Sequence, residues 1–449
     1  FVVEAGQGLV LWRSSGSTKG SEVIASVTKN PRGLQAYASS NENGFFRGGA
    51  LQLNIGFVDF TGFFSQKPIN ANFNDQGFIS GFDVSGLSRT PSESQSKSSS
   101  GERLAGIDVE LHIREGLRFG LRAYTTRFDH PVALSSKNGF SGQRASIASV
   151  DFSYASTTVG SFAEFAIDHA RSVAGVGGVV LEPVPSVDVA LVAHSYSRAF
   201  ISLHGFGFGE AGGQLQNSQG MYTSARLSLL EWLIVSTYFD QFSAEGPTGI
   251  SYLPTSGHEF LGEIRVEPND LSSFLLQVKQ KNQADPQLLI DEFGRFVSVN
   301  GRRAQSNYRL SLEWSPSSRI RWKSRIERVH VEYSLAGVPG TGLLMYQDVR
   351  VKPTPGASID ARIVVFETDS YDSRIYEYES ELRGTFVNPA LYGRGIRLYV
   401  LTRFDIGSIE VSAKYACTRK SGVTSLGSGT GEIIGDTDNQ VSVQLDVKL

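Results

Sequence analysis

The sequence is poor in the residues that define several common classes of protein. Among 449 residues there is one cysteine, Cys417, so the chain can form neither a disulfide scaffold nor a structural zinc cluster of cysteines. Charged residues make up 19% of the chain, below the roughly 25% that is usual for soluble domains. The formal net charge is −3, and this near-neutral balance gives no chain-wide signal for a polyanionic partner.

Long hydrophobic runs are also missing. The densest apolar segment, 227–239, is interrupted by serine, threonine and glutamate, so no candidate for a transmembrane helix exists. No helical period of useful length is found elsewhere, which argues against a helical bundle. Hydrophobic residues still make up 40% of the chain, too many for a disordered protein.

The sequence is instead rich in alternation of period two. In segment 440–449, QVSVQLDVKL, valine and leucine occupy one face, and serine, glutamine, aspartate and lysine occupy the other. The same pattern recurs in segments 107–114, 148–154, 260–267, 308–314, 320–326, 357–365 and 409–417. Such alternation predicts β-strands with one apolar face. Runs of about ten residues match the length that a tilted strand needs to cross a bilayer.

The polar face of these predicted strands carries full charges. In a soluble sandwich the apolar face turns inward, whereas in a membrane barrel it meets lipid and the charged face lines a wet interior. The strand length, together with aromatic residues at run ends such as Tyr308 and Trp314, favours the membrane barrel. We therefore predict that the lumen is lined by Arg118, Arg122, Glu263, Arg265, Arg309, Arg321, Lys323, Arg325, Glu377, Glu379 and Glu381.

These patterns predict an all-β fold, a transmembrane antiparallel β-barrel of about 22 strands within a range of roughly 18 to 24. One barrel domain spans residues 1–449, and its first and last strands, near 3–12 and 439–449, are expected to pair and close it. Such a barrel is expected in the bacterial outer membrane, with the lipid bilayer and other envelope proteins as partners.

Several segments interrupt the alternation. Segment 33–48 is rich in glycine, asparagine and aromatic residues, and it is either an inward plug or constriction or an ordinary surface loop. Segments 85–102 and 282–303 are polar and are predicted as long loops.

Motifs for catalysis or cofactor binding are not found. The seven histidines are scattered, no pair has the spacing of a zinc site, and neither HExxH nor GxSxG occurs. The glycine-rich segments 205–209 and 427–435 precede no predicted helix, so a phosphate-binding loop is not expected. The sequence therefore predicts no enzymatic activity, no metal site and no cofactor.

Rows of like charge leave two interpretations open. Arg321, Lys323 and Arg325 share one face of a predicted strand, and the acidic residues at 377, 379 and 381 share one face of another. In an open pore such rows create a transverse field that filters solutes by size and charge. Alternatively, rows of opposite sign pair across the lumen and hold the wall or a plug rigid.

Five segments resemble, in the same order, landmarks of one protein family. They are GQGLVLW at 6–12 and the segments 33–50, 85–94, 376–404 and 427–449. The family is the large outer-membrane β-barrels that often carry an N-terminal helix-hairpin-helix segment. The resemblance implies a barrel in the outer membrane and, through that segment, DNA handling in some members. The helix-hairpin-helix segment is not found in these 449 residues, and the chain ends in leucine where the barrels often end in phenylalanine.

Three functional hypotheses follow. The first is a channel or transport conduit that moves solutes through a polar lumen. The second is a structural barrel that anchors partners in an envelope or secretion complex. The third, implied by the resemblance alone, is a barrel that handles DNA.

Overall fold

The computed structural model describes residues 1–12, 27–37, 44–83, 91–134, 139–209, 215–246, 253–335, 337–427 and 431–447. Their regular structure is almost entirely β-strand. The first strands are β1 (Val2–Glu4), β2 (Gly33–Gln35), β3 (Gly48–Ile55), β4 (Val58–Ile69), β5 (Ala71–Phe73), β6 (Ile79–Phe82), β7 (Ser100–Arg114), β8 (Leu117–Ala133) and β9 (Ser141–Ala155).

The middle strands are β10 (Val159–Asp168), β11 (Val173–Val184), β12 (Val187–Tyr196), β13 (Ser218–Leu230), β14 (Leu233–Ala244), β15 (Thr255–Asn269), β16 (Ser272–Ile290), β17 (Phe296–Ser317) and β18 (Ile320–Tyr333). The last are β19 (Gly340–Val351), β20 (Ala357–Thr368), β21 (Ile375–Tyr376), β22 (Ala390–Leu391), β23 (Arg394–Ile406), β24 (Ile409–Lys420), β25 (Ser425–Leu426), β26 (Ile433–Ile434) and β27 (Thr437–Val447). Two short helices are α1 (Pro91–Ser96) and a 3₁₀ turn at Tyr371–Ser373. Among the described residues, no helix is long and apolar enough to span a membrane.

Most of these strands form one closed antiparallel barrel. Its hydrogen-bonded order is β3, β4, β5, β6, then β7 to β20 in sequence, then β23, β24 and β27, which is followed by β3. β4 also pairs directly with β7, and three strand pairs, β1–β2, β21–β22 and β25–β26, stand apart from the barrel. The order contains 21 strands, so the prediction of an all-β transmembrane barrel within the stated range of strand number is confirmed.

The closing strand at the N-terminal end differs from the prediction. Segment 3–12 does not join the barrel: β1 pairs with β2, and the strand next to β27 is β3. The glycines at positions 6 and 8 have φ of +59° and +87°, which ends the extended backbone after β1. The predicted pairing is therefore wrong at this end, whereas the last strand, β27, lies in the barrel as expected.

The described residues form two compact units. The first contains Phe1–Leu227, Thr237–His258 and Pro286–Asn300. The second contains Ser228–Ser236, Glu259–Asp285 and Gly301–Leu449. We describe each unit by itself.

In both units the strands expose apolar side chains on one face. In β10 of the first unit, Phe165 is 65% exposed, whereas its neighbour Glu164 is completely buried. In β20 of the second unit, Val365 is 52% exposed and Val364 is 1% exposed. A row of exposed large hydrophobic residues suits a surface that faces lipid. We refer to the opposite strand face as the interior face.

Parts of the interior face are apolar as well. In the second unit, the inward residues at one end of β18 to β20 pack with residues of β21 and β22 into one cluster, Val329, Val331, Leu344, Tyr346, Val364, Phe366, Ile375 and Leu391. In the first unit, a smaller cluster joins Ala71, Ile79, Phe128, Val132, Phe140 and Ala145. Burial of this surface stabilises the inward segments against the strands by roughly 25 cal/mol for each Å² removed from water.

Two predicted loops contain regular structure. Segment 85–102 includes α1, which begins at a proline, the residue favoured in the first helical turn, and β7 starts at position 100; residues 84–90 lie outside the described part of the chain. Segment 282–303 is largely strand, because β16 and β17 continue to a tight turn. Oδ1 of Asp291 accepts hydrogen bonds from the backbone amides of Phe293 and Arg295 there.

Candidate functional site

The interior face of the first unit is organised around Arg122. This side chain of β8 is completely buried and lies among three carboxylates from neighbouring strands. Its Nε donates to Oδ1 of Asp108 at 3.0 Å, its Nη2 lies 2.5 Å from Oδ1 of Asp151, and its Nη1 lies 3.5 Å from Oε1 of Glu164. Strand register creates the cluster, because Arg122 is opposite Asp108 in one pairing and Asp151 is opposite Glu164 in another. One buried guanidinium thus offsets three acids.

The cluster also holds the start of the chain. Oε2 of Glu164 accepts hydrogen bonds from the backbone amides of Gln7 and Leu9, at 2.7 and 3.0 Å. Its other oxygen accepts a hydrogen bond from Ser149 at 2.6 Å. Hydrogen bonds to a buried carboxylate are about twice as strong as those between neutral groups. We call residues 5–11 the N-terminal loop; it is buried and tied to β10 by one acidic side chain.

Glycine is required where this loop passes over Arg122. Gly6 has a left-handed φ of +59°, and a Cβ at this position would lie 2.1 Å from Nη1 of Arg122. Any larger residue therefore displaces either the loop or the guanidinium. The GQG sequence thus has a packing function that the alternation pattern could not reveal.

A second stretch of the first unit, residues 197–209, lies against the N-terminal loop. The backbone amide of Trp12 donates to the carbonyl of His204 at 2.9 Å, and that of Phe206 donates to the carbonyl of Gly8 at 2.8 Å. Nε2 of His204 lies 2.7 Å from Oε1 of Glu102 on β7. The N-terminal loop and residues 197–209 are therefore hydrogen-bonded to each other, and further hydrogen bonds attach both of them to the strands.

Segment 33–48 contributes to the same unit. Its first residues form β2, and Phe46 is buried against Phe1 and Phe63, with ring centroids 5.8 Å away in both cases. The backbone of Phe46 exchanges hydrogen bonds with Phe1. Residues 38–43 lie outside the described chain.

The second unit has an inner segment of different character. Between β21 and β22 the chain runs without strand structure from 377 to 389. Glu377, Glu379 and Glu381 lie here, so their predicted location on a barrel strand is wrong. The three acids occupy every second position, as they would on one face of a strand. The backbone here is not paired with a strand, and side-chain contacts hold it instead. We call residues 377–389 the acidic segment.

Cations on β18 to β24 bind the three carboxylates of the acidic segment. Oε1 of Glu377 accepts from Nη1 of Arg362 at 2.9 Å, and its other oxygen contacts Arg325. Glu379 accepts from Arg397 at 2.5 Å. Lys414 bridges two of the acids: its Nζ lies 3.0 Å from Glu379 and 2.6 Å from Glu381. These cations come from four strands, β18, β20, β23 and β24, so each of the four strands contributes to binding the acidic segment.

These cations alter the proton affinity of the segment. Burial alone would raise the pKa of Glu379, but the hydrogen bond and charge of Arg397, together with the charge of Lys414, outweigh that effect and lower the pKa below its usual value. The carboxylate therefore stays ionised at any pH near neutrality. Arg362 and Arg403 also donate to backbone carbonyls of the segment, at residues 378 and 381.

The remaining sequence-predicted residues are also paired with acids. Arg118 lies 3.4 Å from Glu110, Arg265 lies 3.0 Å from Glu263, Arg309 lies 2.9 Å from Glu327, Arg321 lies 3.4 Å from Asp348, and Lys323 lies 3.7 Å from Glu313. Arg325 contacts Glu327 as well as Glu377. Each predicted cation thus has a carboxylate within reach.

Several members of these clusters were missed at the sequence level, namely Asp108, Asp151, Glu164, Asp348, Arg362, Arg397 and Lys414. Each lies at an inward position of an alternating strand, and Glu164 is a single charge between apolar neighbours in FAEFA. A lone charge in an apolar strand is costly unless it is paired. That rule could have selected Glu164 from the sequence.

One histidine lies near two carboxylates. The ligand atoms of Asp59, Glu110 and His112 all lie within 4.8 Å of one another, a group that the sequence spacing did not indicate. Nε2 of His112 already lies 2.9 Å from Oδ2 of Asp59. Because Arg118 contacts Glu110, these charges are satisfied by one another, and we assign no metal to the group.

Comparisons with known proteins give only distant matches. No protein-family profile and no curated protein matches the sequence. Among solved structures, the chain is similar to the siderophore receptor PirA of Acinetobacter baumannii, with 10% identity, a TM-score of 0.45, and coverage of 88% of this chain and 69% of that one. It is also similar to the ferric yersiniabactin uptake receptor FyuA of Yersinia pestis (10%, 0.44, 88% and 69%) and to the copper transporter OprC (9%, 0.43, 86% and 66%). Likeness at this level tells nothing about what this chain binds or moves.

Proposed function

We propose that this protein is an outer-membrane transport conduit whose passage is occupied by its own inner segments. The conduit conducts when the acidic segment leaves the interior face of the strands that bind it. The exposed apolar face of the strands provides the membrane-spanning surface. In this proposal the sequence-predicted residues on the strands of the second unit line the passage once it is open, namely Glu263, Arg265, Arg309, Arg321, Lys323 and Arg325, whereas Glu377, Glu379 and Glu381 move with the acidic segment.

The observation that carries the proposal is the way in which the acidic segment is held. Its contacts with β18 to β24 include many ion pairs and hydrogen bonds, which water can replace when the segment moves. Replacing a buried ion pair by well-packed apolar residues is often neutral or stabilising. An acidic segment that never left the passage would therefore gain nothing from eight charged side chains. A segment that leaves its site does gain from them, because its charged side chains remain hydrated in the passage.

Single-channel recording in planar bilayers tests the proposal. The variant Glu379→Gln/Glu381→Gln removes the charges that Lys414 binds, so we expect frequent openings that are rare in the unmodified protein. The matched control is Glu332→Gln, because Glu332 is 65% exposed and contacts only a neighbouring histidine among the described residues. A barrel that stays silent in every variant, although the acidic segment has demonstrably moved, would contradict the proposal.

The second candidate is a structural barrel that anchors envelope partners. It is favoured by the ion pairs that all seven predicted cations make, since a filled interior also makes a rigid support. The two candidates differ in outcome: an anchoring barrel would lose partners or stability in the double variant without gaining conductance. Membership of the family of helix-hairpin-helix-associated barrels, and DNA handling with it, stays a prediction from the resemblance. A gel-shift assay with duplex DNA would test it.

A further inference from the structure

Three arginines lie side by side on the outer face of the strands in the first unit, opposite to the interior face. Arg127 of β8 is directly opposite Arg103 of β7 in one strand pairing and directly opposite Arg144 of β9 in the other. All three are exposed and share their strand face with exposed apolar residues such as Leu121. The β-carbons of directly opposite residues are about 4.5 to 5.5 Å apart, so the three guanidinium groups can converge on one ligand. We call these residues the arginine row.

The arginine row has little opposite charge of its own. Among the described residues, Arg127 and Arg144 form no ion pair, and Arg103 lies 3.8 Å from one half-exposed acid, Asp129. Like charges directly opposite each other destabilise a sheet. An anion that contacts all three guanidinium groups would remove this repulsion.

A hollow of about 590 Å³ lies next to the arginine row on the same strands. Its lining on the outer face consists mostly of small residues, Ala105, Ile107, Ala123, Thr125, Ser146 and Ala148. Ala105, Thr125 and Ser146 each lie two residues from an arginine of the row, at the next outward position of the strand. Ser146 donates a hydrogen bond to the hydroxyl of Thr125 at 3.0 Å, so the two hydroxyls satisfy one another. The hollow is therefore suited to an apolar group.

One acid borders the hollow among the described residues, and it is directed away from the outer face. Asp168 is 5% exposed. Its Oδ1 accepts hydrogen bonds from the backbone amides of Ala170 and Ser172, and its Oδ2 accepts one from the amide of Ile201. These donors occupy both oxygens of Asp168, so this acid does not compete for the arginines.

The arginine row lies at the depth of lipid headgroups. The outward positions of β8 from Phe119 to Thr125 are uncharged, and Arg127 is the next outward residue. The eight positions from Phe119 to Arg127 span about 27 Å of strand. At the usual strand tilt this is roughly 20 Å of depth, close to the apolar band of about 25 Å that barrels present to lipid.

The connections between strands indicate which leaflet the arginine row meets. At the end of the row, β8 and β9 are joined by residues 134–140, and residues 83–99 precede β7. At the other end the same strands are joined by residues 115–116 and 156–158. Outer-membrane barrels have their longer loops outside the cell and their short turns in the periplasm. This orientation places the row in the outer leaflet.

We propose that the arginine row and the hollow bind one lipid with a phosphorylated headgroup, in the outer leaflet. The phosphate accepts hydrogen bonds from the three arginines, and an acyl chain lies in the hollow over Ala123 and Ala148. A phosphate group offers three acceptor oxygens, one for each guanidinium, whereas a carboxylate offers two. Arginine also binds phosphate through two parallel N–H groups, which makes it the preferred cation for this group. The proposal goes beyond the conduit, because lipid binding does not require that the barrel conducts.

Native mass spectrometry of the purified full chain in detergent, titrated with dipalmitoyl phosphatidic acid, tests the site. Dipalmitoylglycerol has the same chains without the phosphate and should be retained far less. We expect the first phosphatidic acid to bind about tenfold or more weakly in Arg127→Gln. Arg328→Gln is the matched control, because Arg328 is also exposed on a strand but lies opposite Tyr308 and Leu343 instead of other arginines. It should leave this affinity unchanged.

A second variant tests the hollow without changing the arginines. Ala123→Leu fills the hollow, so phosphatidic acid should bind about threefold or more weakly. Glycerol 3-phosphate carries the same phosphate without acyl chains and should not displace the lipid at equal concentration. Both variants change side chains on the outer face, and Arg127→Gln removes a repulsion, so unfolding in lipid-free detergent should require no less urea than for the unmodified protein.

Four results would overturn the proposal. They are no retention of phosphatidic acid by the unmodified protein, equal retention of dipalmitoylglycerol, an equal effect of Arg127→Gln and Arg328→Gln, and an unchanged affinity in Ala123→Leu. Conductance plays no part in these measurements, so failure of the lipid site and failure of the conduit are separate results.

Discussion

The two units differ in which part of the chain carries the acidic groups that hold the inner segment. In the first unit the charge belongs to a strand: Glu164 accepts backbone amides from an uncharged loop. In the second unit the charges belong to the segment, and Arg362, Arg397 and Lys414 of the strands bind them. The first arrangement therefore depends on backbone geometry, whereas the second depends on ionisation.

The difference suggests separate roles. A loop fixed through its own amides cannot be released by a change in charge on its side chains. A segment that carries its own carboxylates can be released by protonation or by mutation of its acids. We therefore expect the N-terminal loop to be the permanent part of the interior and the acidic segment to be the removable part.

The largest expected effect is the loss of Arg122. Arg122→Met removes the guanidinium that contacts three buried carboxylates, and removing one partner of a buried pair costs about 3 to 5 kcal/mol. The matched change in the second unit is Arg362→Met, after which Glu377 still contacts Arg325 and Asp348 still contacts Arg321. Urea unfolding in detergent should show the greater loss of unfolding free energy for Arg122→Met. Equal losses would contradict the distinction between the units.

The next largest effect is expected from acidification, which should weaken the binding of the acidic segment to the strands. The pKa of Glu379 is lower in the folded protein than in the unfolded chain, so its ionised form contributes stability above the unfolded pKa of about 4.3. This contribution is lost as pH falls through the lower, folded value. A spin label at Phe386→Cys, in a Cys417→Ser background, should become progressively more mobile as the pH falls from the unfolded value of about 4.3 toward the lower folded value.

The same label tests whether Glu379 is responsible. Phe386 is 73% exposed, so labelling it should not disturb the clusters. In Glu379→Gln the label should already be more mobile at pH 7, and the remaining pH response should be smaller. A label that is equally immobile at pH 7 in Glu379→Gln and in the unmodified protein would show that contacts other than the carboxylate hold the segment.

A smaller effect is expected from Gly6→Ala in the first unit. The added Cβ would meet Arg122, and the left-handed backbone adds roughly 1 kcal/mol of strain. Gly33→Ala is a close control, because φ is +62° and the nearest atom, Nε2 of Gln52, would lie 3.8 Å from the Cβ. Hydrogen exchange of residues 5–11 should accelerate in Gly6→Ala and much less in Gly33→Ala. Equal acceleration would mean that strain, not packing on Arg122, governs the loop.

The smallest effect is expected for Lys323→Gln. Lys323 and Glu313 are 36% and 38% exposed and their charged atoms lie 3.7 Å apart. Exposed pairs of this kind contribute about 0.2 to 1 kcal/mol. The free energy of unfolding in urea should therefore hardly change. A loss of unfolding free energy as large as that of Arg362→Met would show that the exposure of an ion pair does not predict its contribution to stability.

The barrel was predictable from sequence because alternation is a local signal. A strand with an apolar face needs only a period of two, which β24 shows over residues 409–417 and β27 over residues 441–447. The inward position of Arg122 follows from the same pattern. Its partners do not, because Asp108 and Asp151 come next to it through pairing of β8 with β7 and β9, and alternation within β8 does not determine which residues of those strands lie opposite it.

For the inner segments, the predictions made from alternation were wrong. The apolar residues 1–3 and 9–12 look like parts of one strand, but Gly6 and Gly8 between them adopt positive φ and end the extended backbone. The acidic segment keeps the spacing of a strand, but no sheet neighbour pairs with residues 377–389 among the described strands. In both segments the conformation is fixed by distant side chains, which local spacing cannot reveal.

The most direct test of the central claim is the conductance of one channel before and after acidification. A single barrel in a planar bilayer is recorded at pH 7, and both chambers are then acidified stepwise below the unfolded carboxyl pKa of about 4.3 and brought back. The account predicts a reversible gain of conductance in the unmodified protein, and openings at pH 7 in Glu379→Gln/Glu381→Gln that acid increases little. Conductance that does not respond to acid, or a double variant that responds as the unmodified protein does, would contradict it.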